Sequence, residues 1–213
     1  EGDEKKLLLM AKGLLALDLK KKEMAEATFQ ELQKEKSNLI EYVHYYYGQF
    51  LEEQGRYPEA KTQFQKILDL SPNAKLSMDS QFEIAKISIL EKNFKAAKTW
   101  LSQLEKRQRR EEGYPETIYS LAMAERGLAN FGPFCKWVKK LYTNHPQFVR
   151  IEKWGPQLAQ DEFEGKPTNC SITNEDRRKR IKSMQWAGLG DRAILEIQLL
   201  RSQTPKGDQF DVD

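Results

Sequence analysis

One short unit of sequence comes three times in this chain, and it leaves few folds open. It is clearest in Gly55-Arg56-Tyr57-Pro58-Glu59-Ala60, running on through Phe64, Ile67 and Leu68 to Pro72. It returns as Asn93-Phe94-Lys95-Ala96-Ala97 with Leu101 and Leu104, and again as Asn130-Phe131-Gly132-Pro133-Phe134 with Val138, Leu141 and Pro146. Each copy has a turn, an aromatic, a small or apolar residue three positions on, then apolar positions four and seven beyond. Residues so spaced line one face of a helix, with turn residues before it and a proline to stop it. A unit this short cannot bury its apolar face alone, so the copies must stack on one another.

The pattern resembles the tetratricopeptide repeat, a helix hairpin with a period of roughly 34 residues. Gly48, Gly55, Tyr57, Ala60, Phe64 and Pro72 all fall in register in the second hairpin, and Ala85 and Ala122 stand where Gly48 does in the third and fourth. The resemblance implies an all-α superhelical solenoid of antiparallel helix pairs, about five hairpins in all. Residues 1–146 read as four hairpins, 147–173 as an irregular bridge with one short helix over 156–163, 174–203 as a fifth hairpin around Gly188-Leu189-Gly190, and 204–213 as a loose tail. The first hairpin is degenerate: Leu8, Ala11, Leu15 and Leu19 form the apolar stripe of its first helix, and Ala27 takes the place of Ala60. Ala193 is the small residue of the fifth, and Thr173 with Asp176 three residues on has the spacing of a helix cap.

Composition removes several function classes. The chain is 39% hydrophobic and 31% charged, too apolar for a disordered segment. Its 35 Lys plus Arg against 32 Asp plus Glu give a net charge of +3, no footprint for nucleic acid or an anionic membrane. No apolar run is long enough to cross a bilayer. The chain opens at Glu1 without Met or a signal-like segment, which leaves its compartment open. Cys135 and Cys170 lack the spacing of metal ligands, and His44 and His145 stand apart, so no metal and no cofactor is expected. The acid pairs Glu52-Glu53, Glu111-Glu112 and Asp161-Glu162 are neighbours on exposed helices. Glycosidase chemistry needs two carboxyls across a cleft, so no catalytic residue is assigned. Arg177-Arg178-Lys179-Arg180 with Lys182 spreads around a helix and reads as a solvated face.

A narrower resemblance runs over residues 38 to 202. Cys135-Lys136-Trp137-Val138-Lys139-Lys140-Leu141-Tyr142, His145-Pro146, Trp154-Gly155-Pro156 and Cys170 precede Arg177 to Leu200 with its Ala187-Gly188-Leu189 and Arg192-Ala193. This run is similar to the N-terminal helical region of soluble lytic transglycosylases of the bacterial periplasm. Those enzymes cleave peptidoglycan with one catalytic acid in a lysozyme-like domain marked by a Glu-Ser pair. No Glu-Ser dipeptide exists here, so none of the family's active-site residues carries over. The resemblance implies a non-catalytic scaffold in the periplasm, reaching a peptidoglycan strand through an associated catalytic domain. The other reading is a free-standing tetratricopeptide adaptor for a protein or peptide, with a cytoplasmic home as the alternative. In a periplasm Cys135 and Cys170 would pair and close a loop of about 36 residues, contributing about 3–4 kcal/mol in the chain-entropy model. In a reducing cytosol they would be two buried thiols.

Repeat register puts Tyr42, Tyr45, Gln49, Phe82, Lys86, Tyr119, Met123, Arg126, Arg178 and Lys182 on the inner faces of the hairpins, with Tyr46 turned into packing. The result is a mixed aromatic and basic surface suited to an acidic peptide, a C-terminal carboxylate or a peptidoglycan stem. Rigid aromatics grip at low entropy cost. The Lys/Asn clamp with which some tetratricopeptide domains hold chaperone C-termini is not expected, because Tyr42, Tyr46 and Gln49 fill its first positions. The register itself is testable: Ala60→Trp should overpack the second hairpin and destabilise the chain by about 1–3 kcal/mol or unfold it. A wild-type melting temperature in that variant would move the register.

Overall fold

A computed structural model describes residues 2–35, 37–108, 113–148, 162–163, 166–167 and 170–203. Ten helices are described: α1 (Gly2–Asp18), α2 (Lys22–Leu32), α3 (Ile40–Glu53), α4 (Tyr57–Leu70), α5 (Lys75–Leu90), α6 (Phe94–Arg107), α7 (Tyr114–Gly127), α8 (Phe131–Asn144), α9 (Asn174–Trp186) and α10 (Gly190–Gln203). Between α8 and α9 lie β1 (Glu162–Phe163) and β2 (Lys166–Pro167), paired antiparallel with Glu162 opposite Pro167. The helix expected over 156–163 therefore does not reach Phe163, which sits in this ladder. Residues 156–161 lie outside the described residues, as do the tail 204–213 and Glu111-Glu112. The chain divides into two compact units, Glu1–Leu104 and Glu105–Asp213.

Helix pairing follows from one packing rule. Gly48 of α3 lies so close to α4 that a Cβ added there would stand 2.8 Å from the Phe64 ring, and one at Gly13 of α1 would stand 3.2 Å from Phe29 of α2. Ala60 and Ala25, twelve positions after those glycines, are fully buried, and Phe64 and Phe29 follow four later. Ala85, Ala97 and Leu101 repeat the spacing, as do Ala122, Phe134 and Val138, all fully buried. A small residue on the first helix thus receives a large one from the second.

This spacing corrects two expectations about the first hairpin. Ala27 is exposed, and Ala25 is the residue equivalent to Ala60. Leu8, Leu15 and Leu19 are more than half exposed, and among the described residues of α1 the buried ones are Met10, Gly13 and Ala16. Apolar spacing alone finds two stripes on α1. Only the one containing Gly13 lets α2 approach.

Four of the hairpins and the α5–α6 connection turn through one backbone device. In the α3–α4 connection Gly55 has a φ of +74°, and the Arg56 N–H donates to the Leu51 carbonyl (2.9 Å) while the Gly55 N–H donates to that of Glu52 (2.8 Å). This double bond satisfies carbonyls that the helix end leaves open. Lys20, Lys92, Ala129 and Gly188 hold the same left-handed position in the other connections. Lys21 N–H to Ala16, Asn93 N–H to Ser88, Asn130 N–H to Glu125 and Leu189 N–H to Met184 close them, at 2.8–2.9 Å. Three of the five turns therefore keep a side chain where glycine is unstrained.

In the second unit α9 is anchored to α8 by more than apolar contact. Arg180 is buried, donates to the Tyr142 carbonyl at 2.8 Å and lies 4.4 Å from the centre of the Tyr142 ring. The Tyr142 hydroxyl donates to Glu196 of α10 at 3.0 Å. Cys135 of α8 and Cys170 are joined by a disulfide, with their Cα atoms 5.1 Å apart. Thr173 caps α9 in a reciprocal box: its hydroxyl accepts from the Asp176 N–H (3.1 Å) and its N–H donates to the Asp176 carboxylate (3.0 Å). The basic run before Lys182 is thus not uniformly solvated. Arg178, Lys179 and Lys182 are exposed, but Arg180 is an interior residue.

The turn analysis makes a prediction. Ala129→Gly relieves a left-handed alanine and should raise stability by up to about 1 kcal/mol in chemical denaturation, whereas Gly55→Ala should lower it by a similar amount. Equal and opposite effects of the two are the expected outcome, and a destabilised Ala129→Gly would contradict the shared turn geometry.

Candidate functional site

In the first unit the predicted residues fall on α3 and α5, which touch one another. Tyr42, Tyr45, Gln49 and Glu52 recur at three- and four-residue steps along α3 and so share one face, as do Asp79, Phe82, Glu83 and Lys86 on α5. Tyr42 is half exposed, and Gln49 and Phe82 are partly covered. Tyr45 is committed more deeply: its ring meets those of Phe64 and Tyr46 edge-on, each at 5.8 Å. Burial, with the charges of Glu83 and Asp79, pushes its phenol well above the usual range. Tyr46 is half-buried against the core, but the most enclosed of the tyrosines is Tyr47. Its hydroxyl donates to Glu26 and accepts from Gln30, both at 3.3 Å.

The charge on this face differs from the basic surface expected. The Lys86 ammonium bridges Glu52 of α3 at 3.1 Å and Glu83 of its own helix. Burial opposes its charge, but Glu83 and Glu52 outweigh that and hold its pKa above the ordinary value. Glu52 is raised, chiefly by burial, with Lys86 opposing and Glu83 adding to the shift. Asp79 is raised by burial as well, against the pull of Lys75. Glu52 and Glu83 therefore share the Lys86 ammonium and Asp79 faces Lys75, so three carboxylates meet two ammoniums on a strip edged by Tyr42 and Phe82. The sequence reading missed Asp79 and Glu83 and set Glu52 aside as one of an exposed acid pair, although their helical spacing with Tyr45, Phe82 and Lys86 was available to place them on this face.

In the second unit Tyr119, Met123 and Arg126 share one face of α7 and are partly covered. Tyr119 and Met123 pack on the core that contains Phe134, Val138 and Cys170, with the Tyr119 ring 5.9 Å from Phe148. Arg178 and Lys182 occupy one face of α9 and are exposed. A further polar cluster was not foreseen: Tyr114 donates to Glu105 at 2.7 Å, and Lys140 reaches both at 3.0 and 2.5 Å. Lys140 also lies over the Tyr114 and Trp137 rings. Every member has a partner, so this buried carboxylate ties α6, α7 and α8 together. His44 is buried with its Nδ1 2.8 Å from Gln63 Oε1, and burial lowers its pKa. Among the described residues no three His, Cys, Asp or Glu side chains are grouped to hold a metal ion, and no helix is long and apolar enough to cross a membrane.

The tetratricopeptide repeat family matches residues 41–74, the α3–α4 hairpin with its flanks. No curated protein matches the chain. Solved structures do, at low identity. A MamA protein is 13% identical over 99% of this chain and 99% of its own, with a TM-score of 0.59. PilW, a type IV pilus biogenesis factor, is 16% identical over 95% of this chain and 80% of its own, with a TM-score of 0.54. A Podosopora anserina protein of nearly identical TPR-like repeats, described as a kinesin light chain, is 12% identical over 93% of this chain and 92% of its own, at 0.54. The chain has the helical fold of tetratricopeptide-like repeat proteins.

The strip on α3 and α5 predicts a pH-dependent variant. Lys86→Met removes the ammonium between Glu52 and Glu83 and should lower stability at pH 7 by about 1–3 kcal/mol. Glu52, raised by burial and then without the ammonium that opposes the shift, would hold its proton more tightly in the folded than in the unfolded chain. The deficit is full above the raised Glu52 value and shrinks as pH falls through it. Urea unfolding at pH 7 and pH 5 measures it, and an equal deficit at both would contradict the assignment.

Proposed function

We propose that this chain is a non-catalytic repeat adaptor that binds a protein partner along the α3–α5 strip, through a segment carrying basic and apolar side chains. The observation that carries the reading is the strip itself, with Glu52 and Glu83 engaging Lys86, Asp79 facing Lys75, and Tyr42 and Phe82 beside them. Tyr42, half exposed, and the partly covered Phe82 supply rigid contact area. An excess of carboxylate favours a cationic partner and repels an acidic one. The family match centred on α3–α4 supports the reading, since such repeats present helix faces to other proteins.

A second reading makes the chain the helical, non-catalytic part of a peptidoglycan lytic transglycosylase in a periplasm. The disulfide between Cys135 and Cys170 favours it, because such bonds persist in oxidising compartments. The mass of the natural gene product and the cell fraction that holds it separate the two readings. A product well above 24.9 kDa in the envelope fraction supports the second, and a product near that mass supports the first.

Site-specific photo-crosslinking in the native cell tests the adaptor. Probes at Tyr42 and Phe82 should label the same protein, and a probe at the exposed Gln65 of α4 should not. Asp79→Lys should then weaken that partner's binding by about tenfold. Labelling of equal strength at all three positions would sink the assignment.

A further inference from the structure

Arg178, Lys182 and Trp186 follow one another at four-residue steps on α9, so they share one face of that helix. Trp186 is 92% exposed, in a residue type that is well covered on average. Beside it lies a cleft of about 390 Å³ lined by Asn144, Gln147, Lys182, Ser183, Trp186 and Ala187, all within the second unit. The lining has a definite chemistry. Two primary amides and a hydroxyl each donate and accept, one ammonium donates, one indole offers a flat apolar face, and no carboxylate is present among the described residues. The Thr143 hydroxyl lies 2.9 Å from both Asn144 Oδ1 and the Lys139 carbonyl, which compete for its single proton. Among the described residues Lys182 enters no ion pair.

A protein partner anchors itself in a desolvated apolar centre ringed by polar groups, and among the described residues the apolar surfaces of this cleft are Ala187 and the indole alone. A sugar ring matches it better. One face of a pyranose is a sheet of C–H bonds that lies flat on an indole. Its hydroxyls both donate and accept, as amides do. An ammonium at the edge favours a ring that bears a carboxylate. We propose that the α8–α9 cleft binds a saccharide, stacked on Trp186, with Asn144 and Gln147 holding ring hydroxyls and Lys182 meeting a sugar carboxylate. The inference does not depend on the α3–α5 strip, which lies in the other unit, and each can fail without the other.

Isothermal titration of the whole chain with trigalacturonic acid, with neutral maltotriose and with triglutamate tests it. The acidic sugar should bind saturably, about tenfold more tightly than maltotriose. Trp186→Ala should abolish both, and Lys182→Gln should remove the difference between them. Because Trp186 is exposed, its variant should melt as the wild type does, which separates loss of the site from loss of the fold. Triglutamate should not bind. Absence of binding by both sugars, wild-type sugar binding in Trp186→Ala, or triglutamate binding as tightly as trigalacturonic acid would each overturn the proposal.

Discussion

The close approach of paired helices at one small residue is the contact on which the rest of this structure depends. Gly48 leaves no room for even a methyl group beneath Phe64, and Gly13 stands nearly as close to Phe29. That contact sets the distance between the two helices of a hairpin. Distance sets which residues of the second helix reach the core, here Ala60, Phe64 and Ile67 in turn. The turn follows from the same requirement, because helices held this close need a connection of few residues. The left-handed position after the first helix supplies it, whether Gly55 or the costlier Lys92 and Ala129 occupy it.

Hairpin packing in turn decides what the outer faces can offer. Once Tyr47 and Phe50 of α3 are drawn into the core, the opposite face of α3 meets α5, and the carboxylates of both helices converge. Lys86 answers two of them, which uses the positive charge that its residue type would otherwise present to a ligand. A lysine counted along a sequence is a basic residue, but between two glutamates it becomes part of the scaffold. Arg180 makes the same point in the second unit. It lies within a run of basic residues, yet it is buried on Tyr142 and fastens α9 to α8. The disulfide pins the chain entering α9 to the same helix.

Much of the fold was legible from sequence because each repeat carries its own instructions. The Tyr57, Ala60, Phe64 spacing and the Gly55 turn located α4 within its true bounds, and Thr173 with Asp176 located the start of α9. The first hairpin was harder. Leu8, Leu15 and Leu19 make a regular stripe, and hydrophobic periodicity reports a stripe without saying which partner covers it. Only the presence of Gly13 between Met10 and Ala16, facing Phe29, selects the other side of α1. The candidate binding faces were legible as helix faces but not as chemistry. Tyr42 and Phe82 could be placed by register, whereas the engagement of Lys86, the deep commitment of Tyr45 and the exposure of Trp186 beside Asn144 and Gln147 depend on residues brought from other helices.

The sequence by itself determined local matters: where most helices start and stop, and which residues are small enough for close packing. These are written in spacings of three, four and twelve residues, because a helix and its hairpin partner convert such spacings directly into neighbours. Tertiary structure alone decided which of two apolar stripes is core, which tyrosine is buried, and which cations face ligands and which face carboxylates. Those outcomes depend on distances between side chains some thirty or more residues apart, such as Glu52 and Lys86 or Tyr142 and Arg180. Electrostatic and hydrogen-bond energies are set by separations of a few ångströms and by burial, and neither can be read until the helices have docked.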